Sequence, residues 1–227
     1  QSGVPLLAMT TDPVSKGRPL VASLQLPLET LQAAIVRFIA DRGYKTSGII
    51  VADFGGATRL VDLLKPDLPG LAFCESVPSD SLDFRTLVAR IRPKPVDALI
   101  LMVLPEQTLP LARQLAAQRV HTHIIGGDML ADDKLRDGLS AEMGEVSYVY
   151  GEVDGDFRMR YQARFGDLSH LYEAAAGYTV GMVLEQMADS SRQVDRSKVI
   201  PSLLGSLFKT PIGEVRFTSS EDQGIHA

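Results

Sequence analysis

Residues 48–57 read "GIIVADFGGA", and their types suggest two kinds of chemistry. Asp53-Phe54-Gly55 spells the metal-binding tripeptide of protein kinases, and Gly55-Gly56 is the kind of glycine pair that phosphate loops use. A kinase also needs a G-x-G-x-x-G loop, a V-A-I-K strand and an H-R-D loop, and the sequence contains none of them. A dinucleotide site needs G-x-G-x-x-G directly after a strand, and a P-loop needs its Lys-Ser/Thr. Gly55-Gly56-Ala57 has the place but not the spacing. What survives is position, where a parallel strand ends and a helix begins, the edge at which open α/β sheets bind ligands. A plainer reading stands beside it, in which the glycines make the turn and Asp53 caps the helix.

A second stretch, "HTHIIGGD", puts His121 and His123 two residues apart. On a strand both rings would face one side, as two metal ligands must. No third ligand is evident, so the pair reads as exposed histidines at a strand start, and no metal is expected. Asp128 follows Gly126-Gly127 at the C-terminal edge of that strand. Its carboxylate can pair with an ammonium group or cap a helix beginning near Ala131. No G-x-S-x-G elbow, H-E-x-x-H pair or supported Ser/His/Asp set occurs, so no catalytic residue is assigned and the chain reads as a non-enzyme. The single cysteine, Cys74 in "LAFCESV", excludes an internal disulfide and a Cys-x-x-Cys zinc site and reads as a small buried hydrophobe.

Composition narrows the class. The 227 residues are 45% hydrophobic and 22% charged, enough for a substantial core. The net charge of −5 lacks the electrostatic footprint of a nucleic-acid binder. The densest basic stretch, residues 90–94, reads as the exposed end of a helix. No apolar run reaches the roughly 18 residues that span a bilayer, and no signal-peptide pattern is read. The chain opens on Gln1 rather than Met, which reads as a mature product or a fragment.

These residues need elements to position them, and the chain alternates β-rich runs with amphipathic helices, the pattern of a parallel sheet covered on both faces. Strands are expected at 4–9, 20–26, 47–52, 71–77, 98–103 and 123–125. Between them come a helix with Leu31, Ala34, Ile35, Phe38 and Ile39 on one stripe, a helix over 57–64, and a helix over 84–91 capped by Asp83. A further helix starts near Thr108, with Pro110 in its first turn. Beyond 131 the order is helix 132–139, strand 146–153, helices 157–165, 172–187 and 197–207, and a strand at 213–217. One βα domain thus occupies residues 20–150. The helices after it lack a sheet of their own, and the spare strand at 4–9 stands at the far end of the chain.

The order of pieces resembles the type I periplasmic-binding-protein family, in particular its branched-chain amino-acid receptors of ABC importers. "GVPLLAMTTDP", "GIIVADFGGATRLVDLL" and above all "SLDFRTLVARIRPKPVDALIL" carry the resemblance, followed in family order by "IIGGD", "YQARFG", "YEAAAGY" and "TPIGEVRF". The resemblance implies an α/β fold of two Rossmann-like lobes joined by three crossings, with ligand in the cleft between them and binding by hinge closure. In that frame residues 1–20 are a remnant of the first lobe and 21–153 the second lobe. Residues 154–211 are return helices of the first lobe, and 212–227 the final crossing and strand. The first lobe is incomplete, its opening βα units expected before Gln1.

The resemblance also implies ligand contacts. Met9, Thr10 and Thr11 would offer backbone and hydroxyl groups to a ligand carboxylate. Phe54 falls where the family often has an aromatic, commonly tyrosine. Val103 and Leu104 end a central strand where a family aromatic often lies, so that wall is more apolar here. Asp128 matches the acid that receives an α-ammonium group. The expected protein is a periplasmic solute-binding protein with no cofactor, taking a small-molecule ligand such as an amino acid and meeting a membrane ABC permease, with no nucleic-acid partner. Rival readings are a regulatory or scaffolding protein that reuses the fold for a protein or amide ligand, and a small Rossmann-like enzyme.

Overall fold

The computed structural model describes residues 6–8, 21–23, 26–166, 168, 170–188, 195, 198–203 and 206–216. In chain order the first elements are β1 (Leu6–Ala8), β2 (Val21–Ser23), α1 (Leu28–Asp41), β3 (Ser47–Ala52), α2 (Gly55–Leu64), β4 (Leu71–Val77), α3 (Arg85–Ile91) and β5 (Ala98–Met102). Next come α4 (Pro105–Ala117), β6 (His123–Gly126), a 3-10 turn (Asp128–Ala131), α5 (Asp133–Met143) and β7 (Val146–Tyr148). The chain continues through α6 (Gly155–Phe165), α7 (Leu171–Met187), α8 (Val199–Leu203), β8 (Leu207–Thr210) and β9 (Gly213–Arg216).

Residues 28–150 form one compact unit. Its sheet has five strands in the order β4-β3-β5-β6-β7, all parallel. Neighbouring side chains on a strand point to opposite faces, and here both faces are apolar. Ile49, Val51, Ala98, Ile100, Met102 and Ile125 pack with buried residues of α1 and α2. Ile50, Ala52, Leu99, Leu101, Val103 and Ile124 pack with buried residues of α3, α4 and α5. Covering both faces is why β3 and β5 read as unbroken apolar runs.

The segment that carries the resemblance most specifically, "PKPVDALIL", has a local structural reason. Asp97 accepts hydrogen bonds from the Lys45 and Thr46 amides at 2.7 and 2.9 Å and from the Thr46 hydroxyl at 3.1 Å. It ties the start of β5 to the start of β3, and these bonds hold its carboxyl below the ordinary range.

Described residues from the two ends of the chain, up to 27 and from 151 on, form the second unit. There β1 and β2 pair in parallel and β8 and β9 in antiparallel. Asp154 caps α6 by accepting from the Asp156 and Phe157 amides, both at 3.0 Å. Helix α7 buries Tyr172, Ala175, Ala176, Thr179 and Val183.

Several expectations are corrected. The extended run at 20–26 contributes β2, which pairs with β1 rather than opening the 28–150 sheet. Helix α4 begins at Pro105, so Pro110 lies inside it and not in the first turn. Where a helix is expected over 197–207, α8 spans Val199–Leu203 and Leu207 opens β8, the partner of β9. That hairpin lies within the end-derived unit. Cys74 is exposed. β4 is an edge strand whose alternate residues Ala72, Cys74 and Ser76 are exposed while Phe73 and Val77 are buried.

Candidate functional site

Because every strand of the 28–150 sheet runs the same way, the residues that follow the strands gather on one edge. β3, β5 and β6 are adjacent, and they deliver Phe54, Leu104 and Asp128 in that order. The chain order reverses between β3 and β5, since β4 lies outside β3 while β6 and β7 lie outside β5. Such a reversal point is where open α/β sheets bind ligands, and Phe54 and Leu104 stand on its two sides.

Phe54 is 39% exposed, a large apolar ring left uncovered beside a strand end. Its amide donates to Ala52 O at 2.8 Å, and its carbonyl accepts from the Thr58 amide and hydroxyl, both at 3.1 Å. Phe54, not Asp53, is the N-cap of α2, and no side chain caps that helix. Asp53 is exposed, and its amide donates to Val77 O at 3.0 Å.

Val103 and Leu104 part company. Val103 is 0% exposed and belongs to the core on the α3–α5 face, whereas Leu104 is half-buried and forms the N-cap of α4. The Leu104 amide donates to Gln107 Oε1 at 3.1 Å. Gln107, itself buried, donates from Nε2 to Pro78 O and Ser81 O at 2.8 and 3.0 Å. One amide side chain therefore fixes the Leu104 turn to the loop after β4, at the same edge.

Asp128 opens the 3-10 turn after Gly126-Gly127. Gly126 is required there by close approach, because a Cβ would run into the Leu130 side chain, with Cγ only 2.8 Å away. The turn seats on the strand end through that contact. The cap of α5 is Asp132, which accepts from the Lys134 and Leu135 amides at 2.9 and 3.1 Å. Met9, Thr10 and Thr11 lie outside the described residues.

The two histidines also diverge. His121 is exposed, but His123 is 6% exposed, which corrects the expectation of two solvent histidines. Its Nδ1 lies 2.6 Å from the Tyr44 hydroxyl and its Nε2 lies 2.9 Å from Ser147 Oγ. Phe38 and Tyr44 meet the ring edge-on. Among the described residues no group of three or more His, Cys, Asp or Glu side chains could hold a metal.

Burial pushes the His123 imidazole below its ordinary value of 6.5, against the opposing pull of Glu145. The fold therefore favours the neutral ring. Its contribution is intact above the ordinary histidine value and is lost as the pH falls below that value through the lowered one. The urea midpoint of the wild type should fall between about pH 7 and about pH 5, and His123→Asn should be weaker at pH 7 yet flatter over that range. Equal pH slopes in the two proteins would refute this role.

The sequence profile of the periplasmic binding protein family matches residues 1–227. No curated protein matches the sequence. Among solved structures, the chain is similar to the branched-chain amino acid transporter substrate binding protein LivJ from Streptococcus pneumoniae, in complex with isoleucine. That match has a TM-score of 0.80 at 15% identity and covers 96% of this chain and 66% of that one. The leucine binding protein LivK from Thermotoga maritima matches with a TM-score of 0.81 at 18% identity, over 97% of this chain and 67% of that one. A solute binding protein of an ABC transporter from Rhodopseudomonas palustris, in complex with 3,4-dihydroxy benzoic acid, matches with a TM-score of 0.73 at 18% identity, over 98% and 66%. The chain thus spans about two thirds of the length of these proteins, and at such identities the likeness is one of fold. With its five-stranded parallel sheet and a family profile matched over all 227 residues, the chain belongs to the periplasmic binding protein family, with the type I fold.

Proposed function

We propose that this chain serves as an extracytoplasmic solute-binding protein of an ABC importer and takes a small amphipathic acid, first of all an α-amino acid, at the C-terminal edge of its five-stranded sheet. The observation that carries this reading is the delivery of Phe54, Leu104 and Asp128 by three adjacent strands. Phe54 and Leu104 offer an apolar wall to a ligand side chain. Asp128 offers a carboxylate to its ammonium group. Nothing in this arrangement acts chemically on the ligand, and delivery to a membrane permease gives the binding its purpose.

Relatives of the fold are solved with isoleucine in one case and with 3,4-dihydroxy benzoic acid in another. Asp128 is what favours the amino acid, since an aromatic acid has no ammonium group for it to meet. Calorimetry with isoleucine, leucine and 3,4-dihydroxybenzoate should show an amino acid bound by the wild type. Asp128→Asn should weaken it by more than about tenfold, the scale of a lost charge-assisted hydrogen bond. Unchanged amino-acid affinity in the variant would sink the assignment, and heat from the benzoate alone would move it to aromatic acids.

A further inference from the structure

At the opposite edge of the same sheet, around the starts of β5 and β6, lies a cavity of about 160 Å³. Its floor includes Phe73, Ile91 and Leu99, which are 7%, 2% and 0% exposed. Its rim carries Arg92, Lys94, Arg119 and His121, all exposed, and no Asp or Glu is among the lining residues. In a chain of net charge −5 that is a local excess of the opposite sign. Among the described residues no carboxylate pairs with Arg92, Lys94 or Arg119, and Arg92 reaches only the Gln118 side-chain oxygen, at 3.4 Å. Thr122 also lines the cavity, although its hydroxyl is itself buried and without a hydrogen-bond partner.

Arg119 stands there in an unusual backbone state. Its φ is +58°, the left-handed region that side chains other than glycine rarely occupy. The turn after α4 holds it, with the Arg119 amide on Ala116 O at 2.9 Å and the Val120 amide on Leu115 O at 3.0 Å. An arginine at a position where glycine is the easier residue places a cation at this rim at a cost in backbone strain.

We infer that this cavity is a second binding site, separate from the ligand edge, for a small organic anion: a carboxylate on a single ring or a short chain. The volume is close to the roughly 150 Å³ that accommodates a benzene ring. The apolar body lies on Phe73, Ile91 and Leu99. The carboxylate meets Arg92, Lys94 and Arg119.

Phenylacetate and its uncharged counterpart phenylacetamide test this on the full chain by amide NMR titration. Phenylacetate should shift the amides of Lys94, Val96, Arg119, Val120, His121 and Thr122 saturably, with a dissociation constant of about 1 mM or tighter. Phenylacetamide should bind at least about tenfold more weakly. Lys94→Gln combined with Arg119→Gly should weaken phenylacetate by about tenfold or more. Glycine suits the Arg119 backbone, so that variant keeps its fold, which its amide spectrum verifies. Absence of saturable shifts, equal response to the amide, or an unaffected double variant would each overturn the site. Shifts confined to residues 53–57, 104 and 126–128 would also overturn it, while reporting binding at the ligand edge instead.

Discussion

Gly48→Val should lower the stability of the 28–150 unit by about 1–3 kcal/mol, although valine is among the best strand formers and glycine among the poorest. Gly48 lies in β3, paired on one side with Phe73 of β4 and on the other with Leu99 of β5. The Phe73 ring occupies the space above the glycine, so an added Cβ would stand 2.7 and 2.8 Å from two ring carbons and closer still to Cζ. The ring is 7% exposed and part of the core, so it yields only by disturbing its neighbours. Relief from a strand-interior glycine, about 0.5–1 kcal/mol, is smaller than that overpacking. Urea denaturation should show a lower midpoint at unchanged slope. Adding Phe73→Leu should recover part of the loss, a coupling that only contact between the two residues produces. Wild-type stability in Gly48→Val would mean that the ring moves aside at no cost.

The same glycine shows why some of this fold was legible and some was not. β3 and β5 are covered by helices on both faces, and double burial writes itself as an unbroken apolar run in "SGIIVA" and "ALILM". β4 is an edge strand, where the pattern loosens and Cys74 reaches solvent despite apolar neighbours. The start of α4 was misplaced because its N-cap is Leu104, a residue type that gives no capping signal, although Pro105 at the first position was there to be read. β8 is exposed at Leu207 and Lys209, so its apolar content resembled the end of a helix.

For the site, topology supplied what spacing could. Residues directly after parallel strands must share an edge, so the grouping of Phe54, Leu104 and Asp128 follows from strand order alone. Burial could not be read this way, and Val103, one residue before Leu104, belongs to the core instead. Side-chain links between distant segments were also invisible. Gln107 meets Pro78 across 29 residues and His123 meets Tyr44 across 79, and neither pair has a sequence pattern. The cationic cavity was missed for a related reason. Its rim joins the end of α3 to the end of α4, so only part of it appeared as the basic stretch 90–94.

Leu101→Ala should cost about 2–5 kcal/mol, a large share of the roughly 5–15 kcal/mol that holds a domain folded. Leu101 is 1% exposed and pairs with Ile50 on one side and Gly126 on the other. A glycine offers no side chain to refill the space that truncation leaves. Leu130, in the same core cluster, already covers Gly126 and is a group able to collapse inward. Leu130 also belongs to the 3-10 turn that carries Asp128. The damage therefore should extend to the proposed ligand edge, with affinity for the proposed amino-acid ligand falling along with stability. Ile100→Ala provides the control, because Ile100 is equally buried but packs on the α1–α2 face. It should cost a similar 2–5 kcal/mol in urea while leaving ligand affinity near wild type under conditions where both variants remain folded, about 25 °C and low denaturant. Equal affinities in the two variants would show that the turn bearing Asp128 is held independently of the core beneath it.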